Sequence, residues 1–198
     1  LVIYIALHIL VKTNPFQFTD TKNAKNILNS LSFNPKGSPS IFTSQTPNIV
    51  IIILEGWTAD VVASVGGEKN CTPYLNSLSN EGLLFDNFYA NGNRTDKGLA
   101  AIISSQPALP NSSIINNIQK FTSLPSISAS LKTNGYSTTF IYGGDANFAN
   151  MKGYFLSCNY QNIIDLSSFP IQTHNAEWGV HDNELWAKTI SELNNKQH

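Results

Sequence analysis

The stretch NIVIIILEGW at residues 48–57 decides the fold. Its apolar residues follow one another without alternation, and Pro47 and Gly56 bound the run. Such a run is typical of a strand that is covered on both faces, as in a parallel α/β sheet. We therefore predict a first strand over residues 48–54, with Glu55 just beyond its carboxyl end.

The rest of the chain alternates between helical and strand patterns. We predict helices at 72–80, 95–105, 126–133, 149–157 and 182–193, and strands at 83–89, 138–142 and 162–164. This alternation favours a three-layer α/β/α sandwich with a mostly parallel sheet. Because ligand sites in such sheets lie beyond the carboxyl ends of the strands, the loops at Glu55, Thr95 and 143–145 are expected to converge on one edge.

The composition bounds the class of protein. With 198 residues, of which 41% are hydrophobic, the chain can bury the core of one globular domain. Its 12 basic and 13 acidic side chains leave a net charge of -1, so it has no basic excess for binding nucleic acid. The two cysteines, Cys71 and Cys158, are too few for a disulfide scaffold and are expected to be buried thiols. Trp178 and Trp186 are expected in the core or at its rim.

The amino-terminal part differs from the rest. Residues 1–11 (LVIYIALHILV) are apolar but shorter than the roughly 20 residues that a membrane span needs. We interpret them as the end of a transmembrane helix, with a buried strand as the alternative, and the chain as part of a longer protein. Residues 12–47 are polar and form a connector that contains a short amphipathic helix at 23–31. Residues 48–198 form the folded domain.

Two residues are candidates for chemistry. Glu55 at a strand end can serve as a hard oxygen ligand for a divalent metal, or it can simply face water. Thr95 begins a predicted helix, where it can act as an N-cap. A hydroxyl at a helix N-terminus also lies in a field that favours an alkoxide and a bound phosphate or sulfate, and a metal contact would make it a nucleophile.

Four segments together carry a family resemblance. They are NIVIIILEGW at 48–57, CTPYLNSLSNEGLLFDNFYANGNRTDKGLAAI at 71–102, STTFIYGGDANFANMKGYF at 137–155 and EWGVHDNELW at 177–186. In order and spacing they resemble the sulfatase-like domain of the lipoteichoic acid synthase family, within the alkaline phosphatase superfamily. The resemblance implies a membrane-anchored enzyme whose catalytic domain is extracytoplasmic and holds one divalent ion of manganese, magnesium or zinc.

The resemblance also implies roles for single residues. Glu55 matches the family's metal-binding Glu, and Thr95 matches its nucleophile, which is also a metal ligand. In the family this Thr attacks the phosphorus of a phospholipid head group, releases diacylglycerol and passes phosphoglycerol to an acceptor. The family's remaining metal ligands, an Asp-His pair, and a substrate-contacting His would fall beyond His198, so we expect the 198-residue piece by itself to be inactive.

Departures from the family leave the substrate open. Asp145 matches a substrate-contacting Asp, although it also suits a turn after two glycines. Gly143, Ala149 and Met151 stand where the family has His, Trp and Arg, and losing that Arg removes a bidentate phosphate contact. Arg94, next to Thr95, is a candidate for neutralising a phosphate oxygen.

Two other functions are compatible with these residues. A true sulfatase needs a C/S-x-P-x-R segment for conversion to formylglycine, and this sequence has none. A non-catalytic sulfatase-like binding domain is the second alternative, and the retention of both Glu55 and Thr95 argues against it. Unpaired strand edges and apolar surface also predict low solubility for the chain expressed alone.

Overall fold

The computed structural model describes residues 17–31 and 42–195. The chain divides into two compact units, one up to Leu54 and one from Glu55 onward. The apolar run 1–11, expected to be the end of a transmembrane helix, lies outside the described residues. Among the helices that are described, none has the length and apolar character needed to cross a bilayer.

The first unit contains helix α1, Thr21–Leu31. Asp20 caps this helix, because its Oδ1 accepts a 2.9 Å hydrogen bond from the Asn23 amide. The predicted amphipathic helix at 23–31 is therefore confirmed with a slightly earlier start.

The predicted strands at 48–54 and 83–89 are wrong. Both segments are irregular, and their large apolar side chains are exposed. Within the described residues, no backbone hydrogen bond joins either segment to another. A strand exists only where a neighbour satisfies its N–H and C=O groups, and an apolar pattern cannot supply that neighbour.

The second unit contains the other predicted helices, with ends that differ from the predictions by one or two residues, and a further short helix at Ile118–Phe121 that was not predicted. Thr72 precedes the first of them, but its hydroxyl donates to the Val61 carbonyl at 2.8 Å instead of capping the helix. The helices are α2 (Pro73–Leu78), α3 (Thr95–Ser104), α4 (Ile118–Phe121), α5 (Ile127–Thr133), α6 (Met151–Ser157) and α7 (Asp182–Asn195). Short 3-10 turns lie at Ala59–Val61, Ala63–Val65, Ile114–Asn116, Phe148–Asn150, Leu166–Ser168 and Ile171–Thr173.

A two-stranded parallel sheet confirms the strands predicted at 138–142 and 162–164. Strand β1 (Thr139–Ile141) pairs with β2 (Asn162–Ile164), with Phe140 opposite Ile163. Helix α6 lies between them in the chain, which makes this a parallel β-α-β unit of the predicted kind. Beyond the carboxyl end of β1, an isolated bridge joins Gly144 to Gly179.

The core of the second unit lies around α6. Tyr154 and Phe155 are fully buried, and Phe155 stacks on Phe140 of β1 with ring centroids 3.7 Å apart. The Tyr154 hydroxyl lies 2.6 Å from the Ser104 hydroxyl of α3. These contacts fix α3, and thus its first residue, against the β-α-β unit.

Three expectations about burial need correction. Cys158 is buried, but Cys71 is exposed because it lies in the turn before α2. Trp186 is exposed, and it lies in α7, a helix in which no residue is buried. Trp178 is also exposed: its backbone is held beside the Gly144 bridge while its indole lies at the surface.

Candidate functional site

Glu55 and Thr95 are in direct contact. The Thr95 Oγ1 donates a hydrogen bond of 3.0 Å to Glu55 Oε1, and both side chains are open to solvent. Gly56, at a positive φ of 76°, turns the chain immediately after Glu55. The two candidates that the sequence places 40 positions apart therefore meet at one point of the surface.

Thr95 is the first residue of α3, so it is not the N-cap. Arg94 has the extended backbone of that position, with φ −141° and ψ 150°, and its carbonyl accepts the Lys97 and Gly98 amides. The Thr95 hydroxyl is thereby free of a capping bond and lies at the positive end of the helix dipole. Such a position stabilises negative charge on a bound anion or on the hydroxyl oxygen itself.

Asp145 lies in the loop that follows β1. Its Oδ1 accepts 2.8 Å hydrogen bonds from the amide and the side-chain Nδ2 of Asn147. This bonding fits the turn interpretation of Asp145. The turn uses only Oδ1 of Asp145, and the carboxylate that carries Oδ2 is exposed.

Tyr142 links this loop to Glu55. Burial raises the pKa of the Tyr142 phenol, and the negative charges of Glu55 and Asp145 raise that pKa further. Both carboxylates therefore act on the same phenol, which follows β1 directly in the chain. The sequence interpretation missed Tyr142, and the available signal was its position as the last residue before Gly143 and Gly144.

The remaining predicted site residue is Arg94. The two ion pairs of the described residues are Lys152 with Asp165 and Lys188 with Glu192, so neither includes Arg94. Arg94 is exposed beside Thr95.

The oxygen atoms of Glu55 and Thr95 are of the type that a hard divalent cation binds, but two ligands are too few for such an ion. A carboxylate and a hydroxyl are oxygen donors of the kind that such ions prefer, but the ions take about four to eight ligands. Among the described residues, no group of three or more His, Cys, Asp or Glu side chains could hold a metal. Glu55 and Thr95 would thus supply two ligands of a larger set.

Solved structures define the class of fold. A protein in the alkaline phosphatase superfamily from Vibrio parahaemolyticus is 35% identical, with a TM-score of 0.63 over 68% of this chain and 33% of that chain. The lipoteichoic acid synthase LtaP from Listeria monocytogenes is 20% identical, with a TM-score of 0.55 over 63% of this chain and 31% of that one. The predicted fold class, an α/β fold of the alkaline phosphatase type, is confirmed.

The family follows from the sequence match. Residues 47–198 match the Sulfatase family model, and the chain belongs to the sulfatase family. Lipoteichoic acid synthase 2 from Bacillus subtilis (strain 168) is 21% identical over 196 residues, which cover 95% of this chain and 30% of that protein. The resemblance to a lipoteichoic acid synthase-like sulfatase domain is confirmed, and the chain spans about a third of the length of these relatives.

Proposed function

We propose that this protein is a metal-dependent phospho-group transferase or hydrolase that acts on the head groups of membrane phospholipids, with Thr95 as its nucleophile. The observation that carries the proposal is the hydrogen bond between Thr95 and Glu55 at the start of α3. It joins a hydroxyl nucleophile, a carboxylate and a helix N-terminus at one point, which are three elements of phosphoryl transfer.

The proposed reaction has two displacements. In the first, Thr95 Oγ1 forms a bond to phosphorus, the ester P–O bond breaks, and the leaving alcohol takes a proton. In the second, the oxygen of an acceptor hydroxyl attacks phosphorus, the bond to Thr95 breaks, and the Thr95 oxygen regains a proton. With water as the acceptor the protein is a hydrolase, and with another alcohol it is a transferase.

We assign separate roles in binding and orientation to residues of this chain. Glu55 holds the Thr95 hydroxyl in place, and the first turn of α3 stabilises the charge that develops on the phosphoryl oxygens. A bound manganese, magnesium or zinc ion, with Glu55 and Thr95 among its ligands, would lower the pKa of the Thr95 hydroxyl and neutralise phosphate charge. Asp145 and Arg94 are proposed as substrate-binding residues. The 198 residues alone are proposed to be inactive, because they contribute too few ligands for that ion.

The proposal includes a location as well as a reaction. We propose that residues 1–11 form the end of a transmembrane helix, that 12–47 form a connector, and that 48–198 begin an extracytoplasmic catalytic domain. The resemblance to the lipoteichoic acid synthase family is the support for a phosphoglycerol head group. The residues at 143, 149 and 151 depart from that family and leave the head group itself open.

The experiment compares Thr95→Ala with Thr133→Ala in the full-length protein supplied with manganese, magnesium or zinc. Thr133 is an exposed helical Thr whose hydroxyl donates to the Ala129 carbonyl at 2.9 Å, so it matches Thr95 in type but not in place. With phosphatidylglycerol vesicles as substrate, T95A is expected to lose at least about 1,000-fold in rate, and T133A to keep the wild-type rate. A T95A variant that remains active, or a wild-type protein that cleaves p-nitrophenyl sulfate and no phosphate ester, contradicts the proposal.

A further inference from the structure

Asp165 is a buried carboxylate to which the proposed reaction gives no role. It directly follows Ile164, the last residue of β2. Because β1 and β2 run parallel, Asp165 lies at the same end of the sheet as the loop after β1. Only 3% of its surface is exposed, and it is the one buried Asp or Glu of the described residues. A buried charge costs free energy unless it is paired and hydrogen-bonded, so the partners of Asp165 indicate what it does.

Both side-chain oxygens of Asp165 have partners. Its Oδ1 accepts hydrogen bonds from the Ser167 amide at 3.1 Å and from the Ser167 hydroxyl at 2.5 Å. Its Oδ2 accepts a 3.3 Å hydrogen bond from the ammonium of Lys152, the second residue of α6, and the two side chains form an ion pair. Burial by itself would raise the pKa of Asp165, but the bonds from Ser167 and Lys152 hold that pKa below its usual value. Asp165 is therefore charged at neutral pH, and Lys152 supplies the opposite charge.

The loop that carries Asp145 is bonded to both segments that this ion pair joins. The Lys152 amide donates to the Ala146 carbonyl at 2.7 Å, and the Leu166 amide donates to the Gly144 carbonyl at 3.0 Å. Asp145 lies between these two carbonyls in the chain. Leu166 is the next residue after the buried carboxylate, so the ion pair links the two segments to which the loop is bonded.

The loop also contains a strained turn just before Lys152. Ala149 and Asn150 both have positive φ angles, of 49° and 59°. Such conformations cost free energy in residues other than glycine and persist only where the surroundings enforce them. The Asn150 side chain donates to the Ile115 carbonyl at 3.1 Å, and the hydrogen bond of the Lys152 amide closes the turn on its other side. The shape of the loop therefore depends on the contacts at its ends.

We propose that the ion pair between Asp165 and Lys152 positions Asp145 for substrate binding, so that both are positioning residues of the candidate site. This inference rests on the proposed function, in which Asp145 binds substrate, and it adds two residues that the proposed reaction does not use. The expected effect is on substrate binding rather than on the chemical step. Thr95 begins α3, which is fixed to the core through a different contact, that of the Ser104 hydroxyl.

The test compares Lys152→Met with Lys188→Met in the full-length protein. Lys188 pairs with Glu192 at 3.1 Å within α7, and its side chain is 34% exposed, against 41% for Lys152. The control therefore removes a lysine ion pair of similar exposure outside the loop. Lys152→Arg keeps a charged donor for Asp165 and is expected to keep most of the wild-type behaviour.

Asp165→Asn breaks the ion pair from its other side. Asn keeps an oxygen that can accept the bonds from Ser167, and it leaves no unpaired charge in the interior. D165N therefore remains a measurable variant if K152M, which leaves Asp165 charged and without its cation, does not fold.

Two measurements are made on these variants. Amide hydrogen exchange in residues 143–152, read by mass spectrometry, is expected to be faster by about 10-fold or more in K152M and D165N, and unchanged in K152R and K188M. Exchange in α3 is expected to match the wild type in all four variants. In the assay with phosphatidylglycerol vesicles, the mole fraction of that lipid at half-maximal rate is expected to rise about 10-fold in K152M and D165N, while kcat stays within about 2-fold.

The outcomes separate the positioning role from the proposed reaction. A wild type that is inactive on phosphatidylglycerol contradicts the proposed function, and hydrogen exchange, which needs no turnover, then still decides whether the ion pair holds the loop. Unchanged exchange in residues 143–152 of K152M and D165N contradicts the positioning role. Faster exchange in α3 as well would show a general loss of stability and also contradicts it. A fall in kcat with an unchanged half-maximal mole fraction contradicts it too, because the ion pair then acts on the chemical step.

Discussion

The Thr95 hydroxyl donates its hydrogen bond to Glu55 across 40 positions of the chain, at a distance of 3.0 Å. Thr95 begins a ten-residue helix. Glu55 follows the apolar segment at 48–54 and precedes the turn at Gly56. Because α3 is anchored through Ser104 to the buried Tyr154, the position of Thr95 depends on the core of the second unit. The chemistry proposed above depends on this one contact.

Replacing Glu55 by Gln tests the carboxylate charge. Gln keeps an oxygen that accepts the Thr95 hydrogen bond but removes the negative charge that a divalent cation requires. We expect the metal-dependent rate of the full-length protein to fall by about 100-fold or more, with weaker metal binding in calorimetry. Glu68→Gln, at another exposed carboxylate, is the control and should behave like the wild type. Equal metal binding by both variants would rule out Glu55 as a ligand.

The Tyr142 phenol reports whether the carboxylates share one site. Its pKa is raised above its ordinary value, first by burial and then by the charges of Glu55 and Asp145. In E55Q one of those charges is gone, so the phenol should lose its proton at a lower pH than in the wild type. Phenolate absorbance titrated against a Tyr142→Phe reference measures this shift. An unchanged titration would show that Glu55 does not act on Tyr142.

Truncation of Phe155 tests the packing that supports the site. Phe155 is fully buried and packs on Phe140 and Tyr160, with centroid distances of 3.7 and 5.2 Å. Phe155→Ala is expected to lower the free energy of unfolding by about 3–5 kcal/mol in urea denaturation. Phe85→Ala, where the ring is 73% exposed, should change that free energy by less than about 0.5 kcal/mol. Similar losses in the two variants would contradict the core described here.

The exposed apolar segment at 83–89 predicts self-association of the 198-residue chain. Phe88 is 84% exposed, and it lies among other exposed apolar side chains of this segment. Phe88→Lys should therefore reduce aggregation and dye binding by exposed apolar surface, as measured by light scattering and ANS fluorescence. Asn87→Lys adds the same charge while keeping the aromatic ring, so it separates the two effects. If N87K improves solubility as much as F88K, charge alone explains the result.

Local signals in the sequence predict part of this structure. Helix α5 follows from Ser126, whose hydroxyl accepts the Ala129 amide at 3.1 Å, and α3 follows from its apolar spacing. Strands β1 and β2 form as predicted because each has the other as its partner. The segments at 48–54 and 83–89 have equally strong apolar patterns but no such pairing, and pairing is a property of distant residues.

The candidate site also has features that the sequence predicts and features that it does not. The proximity of Glu55 and Thr95 is expected from their positions at the ends of predicted elements, together with the family resemblance. Tyr142 was not expected, because its proximity to two carboxylates depends on how the loop after β1 turns. Trp178 was expected in the core or at its rim, since burial is usual for its type. The bridge at Gly144, beside which it lies at the surface, joins residues far apart in the chain.

The most direct test of the central claim is to identify the residue that becomes covalently modified during turnover. Full-length protein is mixed with its active ester substrate, quenched within the first turnovers, digested and analysed by mass spectrometry. The role of Thr95 as nucleophile predicts a phospho adduct on Thr95 in the wild type, the same adduct on the serine of Thr95→Ser, and no adduct in T95A. An adduct on a different residue, or steady turnover by T95A, would contradict it.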